Sequence, residues 1–567
     1  MRLKTALMGA AATLVFAPAA FAERGADGQL NLFYWQAPSI LNPYLSSGTK
    51  DLEASSMVIE PLARYNPAGE LVPYIAAEVP TVANGGIAED LMSITWKLKP
   101  DLKWADGSDV TADDVVFTGE YCMNPDGGCA QLSHFEHVSK IEAIDPLTVK
   151  VSFDAAMPNP YGPFVSFESP ILQKAQFANC TGANAPTCTE ANTMPVGTGP
   201  FKVSAFSPND NVQLVANDNF READKPSFAS VNMKGGGDAA SAARAVFQTG
   251  EYDYAWNLQL APDVLAGMTG DGAKGKVVVA FGSLVERLEM NMTDPSPNLP
   301  EGERSTAKHP HPILSDLRVR QALSMAIDRN LLVEVGYGQA GKPTCNLVPA
   351  PVAYASDNTG CLTQDVEGAK KLLDEAGWVP GADGIREKDG MKLAITYQTS
   401  TNAVRQDFQA LIKQWWGEIG VDTTLKNIDA SVFFGGDPGS PDTFQKFYAD
   451  VEMYANNFTG TDPQTYLAQY TCAKAPKPET QWQGENINRY CDETYDKLVG
   501  ELGGTADPDK RGALAKQLND MLTKDSMTIV PLVWRGTTSG VANTIVGEDI
   551  NPWDSELWNI ADWSRAK

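Results

Sequence analysis

Four histidines and eight cysteines are the residues whose chemistry is most readily tested against their spacing. His134 and His137 stand three apart, so a helix would place both on one face. His309 and His311 flank a proline, and His-Pro-His in a charged stretch reads as a polar loop before it reads as a metal site. The cysteines form four neighbouring couples: Cys122 with Cys129, Cys180 with Cys188, Cys345 with Cys361, and Cys472 with Cys491. No CxxC occurs, and separations of 7, 8, 16 and 19 do not suit a zinc ribbon. Neighbour-to-neighbour disulfides are the expectation, with no metal and no cofactor, although spacing leaves other pairings open. The chain carries no GxSxG elbow, Walker loop or HExxH, and no GxGxxG is expected. With 71 acidic residues, no carboxylate pair stands out. A secreted hydrolase working through carboxylates is therefore the competing class, not the leading one.

The elements that would position such residues begin behind a leader. Arg2 and Lys4 precede an apolar run from Ala6 to Ala17, and Ala20-Phe21-Ala22 supplies small residues for cleavage. Residues 1–22 read as a secretory signal peptide, leaving Glu23 as the mature N-terminus. The first cysteine is Cys122, so no residue at the cut would accept a lipid. The expected product is a periplasmic, unanchored protein in an oxidising compartment, which suits disulfides. A net charge of −26 disfavours nucleic acid as a partner. A chain of 567 residues is too long for one core. Strand patterns at Gln29–Trp35, Ser93–Leu98, Thr148–Phe153, Val421–Leu425 and Thr528–Trp534 alternate with helical ones. The helices are expected at 51–62, 316–326, 366–376, 408–419 and 508–522. Residues 177–192 read as a stapled loop, and the proline-rich 295–312 as a linker. The class is α/β.

Five stretches, in order, resemble the extracytoplasmic solute-binding proteins of ABC importers, in the family 5 cluster of dipeptide-, oligopeptide- and nickel-binding proteins. They are Leu41-Asn42-Pro43-Tyr44 with Ile59-Glu60-Pro61-Leu62; Thr95 to Ser108, running into Val110 to Val116; Pro195 to Phe201; Leu317 to Arg329; and Ala369 to Trp378. The second is the most specific. Physically these are fold residues. Trp104-Ala105-Asp106-Gly107 reads as a tight turn, Thr111-Ala112-Asp113-Asp114 as a capped helix start, and Gly197-Thr198-Gly199-Pro200 as a loop needing glycine's backbone freedom. The resemblance implies a two-lobe periplasmic-binding-protein fold with a hinge and an extra subdomain in the first lobe. It sets lobe I at 23–290 with the insertion at about 67–190, lobe II at 291–528, and a return to lobe I at 529–567. It also implies capture of a solute without catalysis, delivery to a membrane permease, and a monomer.

The resemblance places the ligand between the lobes. Trp35 and Gln36 end the first strand, and Tyr254, Trp256 and Asn257 follow Asp253 near the cleft. Thr399, Ser400, Thr401 and Asn402 with Asn456, Asn457 and Thr459 would close from the second lobe. Arg535, after an apolar strand, is expected at the surface rather than in the cleft. Peptide-binding relatives hold the peptide amine with an aspartate shortly before an acidic-Pro pair, where this chain has Thr459 before Asp462-Pro463. Dipeptide-binding relatives use an arginine in the loop that here has none before Arg405. Both departures imply a neutral, hydroxyl- or amide-bearing ligand, or a peptide held by its backbone. The leading expectation is a peptide or peptide-like solute, with an oligosaccharide or an opine-like compound as alternatives.

Overall fold

The computed structural model describes residues 23–300 and 302–567, so the expected leader lies outside the described residues. Two mixed sheets organise the chain. The seven-stranded sheet runs, in spatial order, Gly275–Ala280, Thr537–Ala542, Tyr254–Ala255, Gln29–Tyr34, Ser230–Gly235, Asn211–Ala216 and Phe201–Ser207. Gln29–Tyr34 lies parallel to both of its neighbours, with Phe33 opposite Ala255 and Lys234. The six-stranded sheet runs Gly341–Pro343, Ile529–Arg535, Val285–Met290, Val451–Asn456, Ala394–Ser400 and Asp422–Ile428. A smaller sheet of Ser93–Lys97, Thr148–Phe153 and Val138–Asp145 packs on the first core. Leu30, Leu32, Trp96 and Phe247 belong to one apolar core, and Leu288, Leu323, Phe408 and Trp416 to another.

Sequence signals set the helix ends. Asp316, Asp328, Asp365 and Asn402 each accept a backbone N–H in the first turn of the helix they open. Gly377 and Gly420, at φ +89° and +84°, stop two of those helices in the left-handed conformation that a side chain resists. The helix expected at 51–62 is instead Thr49–Ser56. Pro61 disfavours helical backbone at Glu60, so the chain leaves the helix early. Residues 177–192 are not one loop: they contain a 3₁₀ turn at Gly182–Thr187 and most of a helix at Thr189–Thr193.

The path between the sheets also differs from the expected linker. The chain leaves the first sheet after Ala280 and enters the second at Val285. It returns through the single residue Gly536, between Arg535 and Thr537. Residues 295–312 do not join the sheets. Thr293 bridges to Pro310, and Asn291 Nδ2 donates to Phe447 and Ala449 carbonyls at 2.9 and 3.0 Å, so this segment packs back on its own half. Disulfides join Cys122–Cys129, Cys180–Cys188, Cys345–Cys361 and Cys472–Cys491.

Candidate functional site

A cavity of about 330 Å³ lies between the two sheets. Its position follows from strand direction. Gln29–Tyr34 and Tyr254–Ala255 run parallel, so Gln36 and Trp256-Asn257 emerge together at their C-terminal ends. From the other side come Asn456, which ends the strand Val451–Asn456, and Asn457 and Thr459 just past it, together with Arg405 in the first turn of Ala403–Glu418 and Arg535 at the end of its strand. Ligands favour this carboxyl end in α/β sheets because the chain turns there are free to vary.

Of the residues expected at the site, Gln36, Trp256, Asn257, Asn456, Asn457 and Thr459 line the cavity, whereas Trp35, Tyr254, Thr399, Ser400, Thr401 and Asn402 do not. Trp35 packs on the first core and donates Nε1–H to the Asn257 carbonyl at 2.9 Å. Tyr254 is buried and donates its hydroxyl to Glu556. Thr399 Oγ1 donates to the Met453 carbonyl at 2.6 Å, and Ser400 Oγ accepts from Arg405 Nη1 at 2.8 Å. Thr401 N–H bonds the Ile428 carbonyl at 2.7 Å. Asn402 caps its helix and donates to Gln259. The polar groups of this loop are thus spent on the fold, which its hydroxyl-rich sequence does not reveal.

Trp256 is both wall and core. It is 5% exposed and stacks on Tyr34 at 5.0 Å with rings 4° apart. Asn257 sits at φ +52°, a left-handed conformation that asparagine tolerates better than most residues. Arg535 is not a surface charge: it is 4% exposed, and its Nη2 donates to Asn257 Oδ1 at 2.7 Å.

The buried charges around the cavity were largely missed by sequence reasoning. Glu286 accepts from Arg405 Nε at 2.6 Å and from the Tyr337 hydroxyl at 3.0 Å, with Arg535 at 3.6 Å. Burial alone would push the Glu286 carboxyl up, but the two guanidiniums outweigh it and hold it below the usual range. One strand position further, Arg287 donates to Glu289 at 2.7 Å and to the hydroxyls of Tyr466, Tyr454 and Tyr470 at 2.5, 3.0 and 2.9 Å, and the first two of these tyrosines line the cavity. Burial, and next the neighbouring Glu556, push the Glu53 carboxyl up to about 8. Glu168 enters from the first half and accepts from Thr459 Oγ1 at 2.8 Å, with His134 Nε2 at 3.1 Å. The other three histidines pair separately with Asp154, Glu303 and Asp450.

By contrast, the side-chain amides of Gln36, Asn456, Asn457 and Gln469 line the cavity and bond to none of the described residues. Gly270-Asp271-Gly272-Ala273-Lys274-Gly275 matches GxGxxG in letters, contrary to expectation. It follows the helix Pro262–Met268 and opens the strand Gly275–Ala280, the reverse of a dinucleotide-binding turn. No cluster of three or more metal-ligating side chains occurs among the described residues.

Known proteins share the chain's sequence pattern and fold. The family described as "Bacterial extracellular solute-binding proteins, family 5 Middle" matches residues 70–477. The glutathione-binding protein GsiB of Salmonella paratyphi A is 24% identical over 481 residues, 84% of each chain. Protein XP55 of Streptomyces lividans is 29% identical over 373 residues, 65% of this chain and 61% of that one. The oligopeptide-binding protein AppA of Bacillus subtilis, solved with a nonapeptide, superposes with a TM-score of 0.80 at 22% identity, covering 96% of this chain and 100% of AppA. NikZ of Campylobacter jejuni, solved with Ni(L-His), superposes at 0.78 with 21% identity, covering 95% and 99%.

Proposed function

The chain belongs to family 5 of the bacterial extracellular solute-binding proteins, and on that premise we propose that it captures a peptide or peptide-like solute in the periplasm. It is a binding component of an ABC uptake system that delivers its ligand to the permease, and it is not an enzyme. Release from a cleaved leader at 1–22, without a lipid anchor, completes the proposed route. Among the described residues no helix is long and apolar enough to cross a membrane. We assign 23–280 with 537–567 to one lobe and 285–535 to the other, since the two sheet crossings fall between them.

One observation carries the peptide reading. Gln36 from one half and Asn456, Asn457 and Gln469 from the other present unpaired amides to one cavity. An extended peptide backbone offers N–H donors and C=O acceptors, and a side-chain amide can pair with both. The test is a thermal-shift screen of short peptides, neutral oligosaccharides and opines, followed by calorimetry and by mass analysis of the recovered ligand. A peptide should raise Tm and be returned intact, stabilising by about 2.7 kcal/mol at a hundredfold excess over Kd. Stabilisation only by sugars or opines would replace the peptide reading, and turnover would overturn the assignment as a binder.

A further inference from the structure

Most charges on the cavity wall already have a fixed counter-charge. Asp462 pairs with Arg511 at 2.5 Å, Asp554 with Arg64 at 3.4 Å, Lys50 with Asp51 at 2.9 Å, and Glu485 with Lys474 at 3.7 Å. Arg405 and Arg535 share Glu286. Glu53 and Glu556 lie together, the Glu556 backbone N–H on Glu53 Oε1 at 3.0 Å, and burial pushes both carboxyls up. Glu168 is different. Its Oε2 takes both of its bonds, from His134 and Thr459, and neither partner is a fixed cation. Its Oε1 has no partner among the described residues, and the side chain is 23% exposed to the cavity.

The backbone holds this carboxylate in place. Phe164 and Ser166 take left-handed φ of 65° and 69°. Ser166 N–H bonds the Ala63 carbonyl at 2.9 Å, and Phe167 N–H bonds Asp554 Oδ1 at 3.2 Å. Strain of this kind persists only where the surroundings fix it. Glu168 thus meets Thr459, where sequence reasoning found no carboxylate, from the opposite side of the cleft.

We propose that Glu168 anchors a cationic group of the solute, an ammonium or a guanidinium, and that its bond to Thr459 joins the two halves around that group. The inference rests on the peptide reading above, and it replaces the expectation of a neutral ligand. A half-buried carboxylate with a free oxygen and no lysine or arginine bonded to it gains a charge-assisted hydrogen bond when such a group arrives.

The probes are a library of free-amine tripeptides that includes lysine and arginine members, the same library N-acetylated, and maltose. They are titrated into the full mature protein, Glu168→Gln and Thr459→Val. Wild type should bind its best free-amine or basic member about tenfold or more tightly than the counterpart lacking that cation. Glu168→Gln should erase the preference while keeping the unliganded Tm, because its amide oxygen still accepts from Thr459. Thr459→Val should weaken binding but keep the preference. Equal binding of cationic and neutral members by wild type overturns this inference and leaves the peptide reading standing. So does a preference that survives in Glu168→Gln. Binding of maltose alone, or of no library member, overturns both.

Discussion

At the scale of single residues, the cavity is held by buried ions rather than by the hydroxyls that its flanking sequence advertises. Arg405→Leu would leave Glu286, which is fully buried, facing Arg535 at 3.6 Å and a tyrosine hydroxyl. Removing one partner from a buried pair costs about 3–5 kcal/mol, because the remaining charge stays desolvated. Urea unfolding should show that loss, and a change below about 1 kcal/mol would refute the role given to the pair. Asp554 offers a pH test. Burial pushes its carboxyl up to about 6, against the opposing pull of Arg64 and three backbone N–H groups. A raised carboxyl binds its proton more tightly in the folded state. Its contribution is therefore fully present below the unfolded value near 3.8 and is lost as pH rises through about 6. Asp554→Asn does not titrate. Between pH 4 and 7 its stability relative to wild type should improve by about 1–3 kcal/mol, whatever offset it shows at pH 4. A relative stability that stays flat or falls over that range contradicts the assignment.

At the scale of elements, the Gly197-Thr198-Gly199-Pro200 turn shows how a motif is right for a different reason. Freedom of φ is not what its glycines supply, for neither is in the left-handed region. A Cβ on Gly197 would stand 1.7 Å from the Val58 carbonyl oxygen, and one on Gly199 2.6 Å from that of Met57. The turn lies flat against the chain leaving Thr49–Ser56, and Gly199 N–H bonds the Val58 carbonyl at 2.9 Å. Gly197→Ala should cost about 3 kcal/mol or more, since backbone rather than a flexible side chain must move. Thermal unfolding within about 1 °C of wild type would show that the contact yields freely. The neighbouring motif behaves as its sequence suggests. Gly107 takes φ +88°, Asp106 accepts the Ser108 N–H at 2.9 Å, and Asp114 accepts the Thr111 N–H at 2.9 Å.

At the scale of the whole molecule, the halves touch across the cavity through a few polar contacts. Asn402 reaches Gln259, Arg535 reaches Asn257, Thr459 reaches Glu168, and Gly460 N–H bonds the Trp553 carbonyl at 2.8 Å. Two short crossings, 281–284 and Gly536, connect the sheets. Few residues therefore need to change φ and ψ for the halves to separate. Small-angle scattering should show a smaller radius of gyration with saturating ligand than without, and an unchanged radius with a proven ligand would count against hinge closure. The sequence by itself determined the class, through local periodicity, and pointed to the family through five motifs in order; capping residues and glycines marked helix ends such as Gly377 and Gly420, and short-range spacing favoured neighbour pairing of the cysteines without excluding other pairings. It also pointed to Gln36, Trp256, Asn257, Asn456, Asn457 and Thr459, which follow strands whose direction sets where they emerge. The tertiary structure alone decided that Thr399 to Asn402 serve the fold, that Arg535 is buried, that the sheets exchange at 281–284 and 536, and that Glu168 meets Thr459. Most of those facts depend on partners distant in sequence, 278 residues away for Arg535 with Asn257 and 291 for Glu168 with Thr459, and no local pattern encodes a pairing at that separation.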